Sequence, residues 1–335
     1  MNSYKLVKNE NKNSSFKLEL VKTEIPQPKE NEILIKVCAV SLNFRDNMVI
    51  RGDFGMEKLL GLTPISDVVG RVVKIGGRVN RDDIKINDRV TCNFCADWIE
   101  GNAKSEYDNT ISGGLAQYMI LPADAAVIPP SYLTDEEVTT LPIAALTAYQ
   151  SLVVKGNLSK DQFVLIQGTG GVSIFALQIV RAIGAKSIVL TSSNEKSEKV
   201  KDLGANFVVN YRETPNWHEK VLEITNGVGV DQIIEVVGGD NLSKSIEAAR
   251  REGNIFIIGA LESTKINLDI IKILGKRLNF IGILVGPKKS FDEMNQFFSK
   301  HLITPVIEKV YQFHQAELAY HHLESGAFGK IVIKI

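Results

Sequence analysis

The stretch Gln167-Gly168-Thr169-Gly170-Gly171-Val172-Ser173 constrains this chain more than any other. It follows a short apolar run, 163–167. It opens a segment in which Val172, Phe175, Ala176, Ile179 and Ile183 recur at three- and four-residue steps, the spacing of a helix face. A strand that turns on glycines into a helix offers free N–H groups and the positive end of the helix dipole to an anion. The glycines allow the tight turn and let a pyrophosphate approach the backbone. The third glycine of the usual fingerprint is replaced by Ser173. Taken alone, the loop also fits a tight turn that binds nothing.

Its surroundings favour the dinucleotide. Apolar runs at 163–167, 187–191, 207–210, 231–237, 254–259 and 279–285 alternate with helical stretches. Near-continuous apolar strands suit a sheet covered on both faces. Six of them with helical crossovers predict an α/β fold with a doubly wound parallel sheet. The first 130 residues differ. Runs such as 33–37 and 68–75 are bounded by turns at Gly76-Gly77, Asn87-Asp88 and Gly113-Gly114. The first helical signal is the capping box Thr134-Asp135-Glu136-Glu137. The tail ends on a strand at 330–335, expected to pack back on the first domain.

The second strand of such a sheet usually ends on Asp or Glu, which holds the ribose hydroxyls of NAD. Here it ends Leu190-Thr191-Ser192-Ser193, with Glu195 and Lys196 beyond, and the next strand closes on Tyr211-Arg212. Hydroxyls with a cation suit a 2′-phosphate. Ser192, Lys196 and Tyr211 are therefore read as an NADP(H) site. The plainer readings are a solvated helix face for Lys196 and a half-buried strand end for Tyr211.

Composition excludes several classes. Lys+Arg and Asp+Glu are both 39, so the chain lacks the basic excess of a nucleic-acid protein. No apolar run reaches the roughly 18 residues of a membrane span. The first 20 residues carry no signal-peptide core. Three cysteines make no disulfide framework. The expectation is a reduced, cytoplasmic enzyme of about two domains, acting on a small molecule without nucleic-acid or membrane partners.

Several motifs together resemble the medium-chain dehydrogenase/reductase superfamily, in its zinc-independent alcohol dehydrogenase and quinone oxidoreductase branch. They are 40–46 (Val-Ser-Leu-Asn-Phe-Arg-Asp), Gly76-Gly77-Arg78-Val79, Asn87-Asp88-Arg89-Val90, 113–118, 141–149, the glycine loop, Leu203-Gly204-Ala205-Asn206 and 208–212. The resemblance covers nearly the whole chain. It implies a GroES-like, β-rich catalytic domain (residues 1–145), a Rossmann domain (146–285), and a return segment (286–335) packing on the first. The active site would lie in the cleft between the domains.

Zinc-dependent relatives hold their catalytic metal at positions matching Asn43, Ser66 and Ile143, none an ordinary zinc ligand. The structural zinc lobe of those relatives uses four closely spaced cysteines; here only the pair Cys92 and Cys95 is present, which reads as two buried thiols. No metal is therefore expected. The resemblance places Asn43, Arg45, Asp46 and Ser66 as cleft-lining catalytic candidates. Asn43 and Ser66 can donate hydrogen bonds, and Arg45 can stabilise an enolate or serve as a structural ion pair with Asp46. A tyrosine common in the quinone-reductase branch is replaced by Met48, with Phe54 as a nearby aromatic. Gly168, Thr169, Gly170, Gly171 and Val172 would hold the pyrophosphate. Thr147 would face the nicotinamide, with Gly238 and Gly259 along the strand ends and Leu284 near the carboxamide. Lys330 matches a basic position near the pyrophosphate, or is an exposed strand-start lysine. Segment 279–286 matches an edge strand through which relatives form homodimers.

The leading expectation is an NADP(H)-dependent, zinc-free reductase of a carbonyl, quinone or activated alkene. The alternatives are an NAD(P)-dependent alcohol dehydrogenase working oxidatively and a non-catalytic, dinucleotide-binding redox sensor.

Overall fold

The computed structural model describes residues 1–10, 15–53, 59–103, 112–265 and 268–335. Phe54 and parts of the 52–62 and 95–110 loops lie outside the described residues. The chain divides into two compact units, Met1–Leu146 with Pro287–Ile335, and Thr147–Gly286.

The first unit is built on antiparallel strands. β1 (Asn2–Lys8) pairs with β2 (Phe16–Lys22) as a ribbon. β3 (Glu32–Leu42) is followed by helix α1 (Phe44–Arg51), then β4 (Asp67–Ile75), β5 (Arg89–Cys92), β6 (Tyr118–Pro122) and β7 (Ala126–Val127). Helix α2 (Asp135–Val138) starts on Thr134, whose side chain accepts from the Glu137 N–H at 3.2 Å, the cap read from the sequence. The later segment contributes α9 (Lys288–His301), β14 (Ile307–Gln312), α10 (Ala316–Gly326) and β15 (Lys330–Lys334). One sheet runs β14-β15-β3-β4-β5-β7, with β6 also on β3. β15 thus pairs with β3, setting Ile331 against Leu42. Ile33, Ile35, Val68, Val72, Ile331 and Ile333 fill the core. At Gly70 a Cβ would meet the Lys36 carbonyl oxygen at 2.5 Å, so glycine permits β3 and β4 to approach beside the register shift at Val37/Ala39.

Helix α3 (Leu146–Tyr149) lies between π-helical stretches Leu141–Ala145 and Gln150–Lys155. The second unit then alternates β8 (Phe163–Gln167), α4 (Gly171–Ile183), β9 (Lys186–Thr191), α5 (Asn194–Asp202), β10 (Phe207–Asn210), α6 (Trp217–Ile224), β11 (Val230–Glu235), α7 (Asn241–Ala248), β12 (Ala249–Ile257), α8 (Ile270–Lys276) and β13 (Asn279–Gly282). All neighbours are parallel, in the order β10-β9-β8-β11-β12-β13. This is the doubly wound order of a dinucleotide-binding sheet, and the winding reverses between β8 and β11.

Three local differences from the sequence reading have physical causes. Helix α4 buries Ile174, Leu177 and Val180 as well as Phe175, Ala176 and Ile179 of its expected face, while Val172 and Ile183 stay half-buried, because it packs on β8, β9 and the Gln150–Lys155 stretch. β12 starts at Ala249, and a register shift between Val230 and Gln232 accommodates the extra residues. The last strand of this sheet stops at Gly282 and leaves a short edge.

Candidate functional site

The second unit provides a cradle. β8 ends on Gln167, and Gly168 takes φ +73°, which L side chains rarely adopt. A Cβ on Gly168 or Gly170 would meet nothing within 4 Å, so the loop borders open space. Gly170 caps α4, and the first bond of the helical ladder runs from the Ile174 N–H to the Gly170 carbonyl at 3.0 Å. The N–H groups of Gly171, Val172 and Ser173 precede that ladder. Ser173 Oγ donates to the Gln167 carbonyl at 2.7 Å, tying helix to strand where the fingerprint has its third glycine. Open space, glycines and helix N–H groups fit a pyrophosphate.

A buried glutamate organises the floor. Glu235 ends β11 with no exposure. Its Oε1 accepts from the Val237 and Gly238 N–H groups at 2.9 and 3.0 Å, and from Asn241 Nδ2 at 3.4 Å. Its Oε2 accepts from Gln167 Nε2 at 2.7 Å and Ser245 Oγ at 2.6 Å. The turn at Gly238-Gly239 and the end of β8 therefore share one anchor. Sequence reasoning missed it. The signal was a carboxylate and a glutamine inside two otherwise apolar strand ends.

The parallel sheet places the expected cofactor residues on one edge. Gly168, Ser192, Tyr211, Gly238, Gly259 and Leu284 each follow the carboxyl end of a different strand, within three residues. At Gly259 a Cβ would meet the Val236 carbonyl oxygen at 2.6 Å, so only glycine lets those two strand ends come so close. Thr191 and Asn210 are paired, and the Tyr211 N–H donates to the Thr191 carbonyl at 3.0 Å, which brings Ser192 and Tyr211 together. Ser193 caps α5 by accepting from the Lys196 N–H at 3.3 Å, so Lys196 lies in the adjoining first turn. Thr191 Oγ1 turns inward to Ser197 Oγ at 2.7 Å. Glu195 is paired with Lys199 at 2.7 Å and Glu213 with Asn194 at 2.8 Å. Thr147 is buried and its carbonyl accepts from Ser151 Oγ at 2.8 Å.

The first unit holds a buried polar cluster. The Asn43 N–H donates to Asp46 Oδ2 at 2.8 Å, which starts α1, a helix the sequence reading did not anticipate. Asn43 Nδ2 donates to Asp67 Oδ2 at 2.8 Å, and Ser41 Oγ lies 3.1 Å from the same oxygen. Burial pushes the Asp46 carboxyl up to about 6, against the opposing charge of Arg45. The Arg45 guanidinium lies 5.2 Å from the centre of the Phe94 ring. Ser66 Oγ is buried and has no hydrogen-bond partner among the described residues. Of the catalytic candidates, Asn43 is thus bonded to Asp67, Ser66 is its chain neighbour, and Asp46 feels its charge.

Lys330 is neither the exposed lysine nor the pyrophosphate ligand expected. It is 2% exposed, and its Nζ donates to the Leu42 carbonyl and to Asn43 Oδ1, both at 2.7 Å, and lies 3.5 Å from Asp67 Oδ2. With its donors committed to protein oxygens, none is left for a phosphate. Burial pushes the Asp67 carboxyl up and the Lys330 ammonium down, and their pairing opposes both shifts.

These residues do not fit a catalytic zinc. At the matching positions stand an amide, a hydroxyl and an alkyl chain, whereas Zn²⁺ takes thiolate, imidazole or carboxylate. The amide is already engaged by an ammonium and a carboxylate. Among the described residues no group of three His, Cys, Asp or Glu could hold a metal. Cys92 and Cys95 are buried free thiols, and burial pushes the Cys95 thiol up to about 11.

Residues 29–131 match the alcohol dehydrogenase GroES-like domain, and residues 171–300 match the zinc-binding dehydrogenase family. A zinc-type alcohol dehydrogenase-like protein of Schizosaccharomyces pombe is 39% identical over 325 residues, 93% of each chain. The quinone oxidoreductase of Sus scrofa is 30% identical over 316 residues, 92% of this chain and 91% of that protein. The solved structure of a candidate alcohol dehydrogenase from Sinorhizobium meliloti 1021 superposes with a TM-score of 0.91 at 33% identity, over 100% of both chains.

Proposed function

This chain belongs to the medium-chain dehydrogenase/reductase superfamily and is an oxidoreductase; from that premise we propose a zinc-free, NADP(H)-dependent reductase of a carbonyl, quinone or activated alkene. The observation that carries the cofactor choice is the β9–β10 edge. Ser192, Lys196 and Tyr211 gather there, while the nearby Glu195 and Glu213 are engaged by Lys199 and Asn194. Hydroxyls and a cation suit a 2′-phosphate; a ribose diol calls for a carboxylate.

When bound, the nicotinamide supplies the hydride. The Gly168–Gly170 loop and the first turn of α4 bind the pyrophosphate. Asn43 donates a hydrogen bond to the substrate oxygen as negative charge grows there, the task a metal performs in other dehydrogenases. The zinc-free reading rests on the donor set at Asn43, Ser66 and Ile143. We also propose a cytoplasmic homodimer joined through β13. That strand ends its sheet, and neighbouring Ile270, Ile271 and Leu274 on α8 are 65–75% exposed. Among the described residues no helix is long and apolar enough to cross a membrane.

The test is titration of the purified protein with NADPH and NADH, followed by cofactor oxidation against carbonyls, quinones and enones. The expected result is NADPH binding tighter by roughly tenfold, about 1.4 kcal/mol, with turnover of at least one acceptor class. Tighter NADH binding would overturn the cofactor choice and favour oxidative alcohol dehydrogenation. Cofactor binding without turnover of any acceptor would favour a redox sensor.

A further inference from the structure

The Asn43 carboxamide is gripped from two sides by groups of opposite character. Lys330 Nζ, which can only donate, lies 2.7 Å from Oδ1. Asp67 Oδ2 accepts from Nδ2 at 2.8 Å. A flipped amide would set its NH₂ against an ammonium and its oxygen against a carboxylate, losing both bonds. Neither gripping group is free to turn. Lys330 is also bound to the Leu42 carbonyl at 2.7 Å, and Asp67 Oδ2 has Ser41 Oγ 3.1 Å away. Nδ2 carries two hydrogens, and Asp67 takes one. Among the described residues the second has no acceptor, and Asn43 is only half buried. A cation on the amide oxygen also strengthens the remaining N–H as a donor.

We propose that Lys330 and Asp67 are positioning residues that lock the Asn43 amide in one orientation, so that its second Nδ2–H is presented to the oxygen of a carbonyl-bearing acceptor. This rests on the reading above that Asn43 meets the substrate oxygen. It deepens that reading by requiring an acceptor with a hydrogen-bond-accepting oxygen. Ketones, aldehydes, quinones and enones qualify, and an isolated alkene does not.

Lys330→Met alone strands a buried carboxylate and endangers folding. The decisive comparison is therefore between two double variants of equal charge, Lys330→Gln with Asp67→Asn, and Lys330→Met with Asp67→Asn. In the first, the Gln amide still donates to Asn43 Oδ1, with the Leu42 carbonyl orienting it. In the second, that donor is gone. Loss of a preorganised donor typically costs about 10²–10³ in kcat, and partial disorder of one less. The Met variant is expected to show kcat at least about 30-fold below the Gln variant. KM and NADPH Kd should change less than twofold, and melting temperatures should match. Equal kcat in the two, or a difference that appears only in melting temperature, would reduce the cluster to a structural ion pair and overturn the proposal.

A second readout does not depend on turnover. The Asn43 side-chain amide, identified in a ¹H–¹⁵N spectrum by its loss in Asn43→Ala, should give one exchange-protected proton and one fast-exchanging proton. In the Met variant both should exchange rapidly. Two protected protons, or two fast ones, in the unsubstituted protein would overturn the proposal. If the unsubstituted protein reduces no acceptor yet shows the split amide, the reductase reading fails while the locked amide stands.

Discussion

Glu235 offers a sharp test of how the cofactor edge is held together. Its two oxygens accept from Ser245 Oγ, Gln167 Nε2 and the Val237 and Gly238 N–H groups at 2.6–3.0 Å, with no exposure to water. Glu235→Leu preserves approximate volume and removes the acceptor from its four close donors, with Asn241 Nδ2 a weaker fifth at 3.4 Å. At about 1 kcal/mol for each stranded donor the cost is about 4 kcal/mol. In a domain of this size that lowers Tm by about 8–16 °C. Glu235→Gln should behave differently. Its oxygen keeps the two backbone donors, while the Gln167 amide can flip and the Ser245 hydroxyl can rotate to accept from the new NH₂. Its cost should be about 1 kcal/mol, or about 2–4 °C. Calorimetry resolves both, and fluorescence titration should show NADPH affinity falling with the leucine substitution as the 237–239 turn loosens. A leucine variant within 3 °C of the unsubstituted protein, or a glutamine variant as damaged as the leucine one, would refute the anchor.

Three other outcomes are expected. Gly170→Val projects a side chain into space now open, so NADPH affinity should fall by about tenfold or more, roughly 1.4 kcal/mol, with little change in Tm; unaltered affinity would remove the loop from the cofactor site. Lys196→Ala should lower the NADPH-to-NADH preference by about tenfold, since a charge-assisted bond is worth about 1.5–3 kcal/mol before solvent screening, and Kd ratios decide it. The Asp46 carboxyl is raised from 3.8 to about 6, so the folded protein holds this proton more tightly than the unfolded chain. That stabilising contribution is complete below pH 3.8 and is lost as pH rises through about 6. It amounts to about 3 kcal/mol at most. Asp46→Asn should therefore flatten the fall in Tm between pH 4 and 7, and an unchanged profile would show that another group carries it.

Legibility in the sequence followed the range of the interactions. The second unit could be read because each parallel strand is a short apolar run and each crossover helix carries its own period. α1 could not. Residues 44–51 have no clean apolar stripe, and the helix starts because the Asn43 N–H finds Asp46 three residues on. Glu235 was hidden by its apolar neighbours. Ser173 broke the glycine fingerprint, yet its hydroxyl ties the same two elements together by a hydrogen bond to Gln167. Lys330 was misplaced for the opposite reason. Its partners Leu42 and Asn43 lie 288 and 287 residues away, and nothing local marks a strand-start lysine as buried.

That separation has a consequence for the newborn chain. The second unit is one continuous stretch, Thr147–Gly286, complete as soon as it clears the ribosome. The first unit must wait for β15 to fill its place beside β3. At about 5–20 residues per second, the 288 residues from Leu42 to Lys330 take roughly 15–60 s to synthesise. Until Lys330 emerges, Asp67 lacks its cation and β3 keeps an unpaired edge. A stalled or truncated translation product would carry a finished nucleotide-binding unit beside a half-built, association-prone sheet, the kind of intermediate that chaperones and proteases recognise.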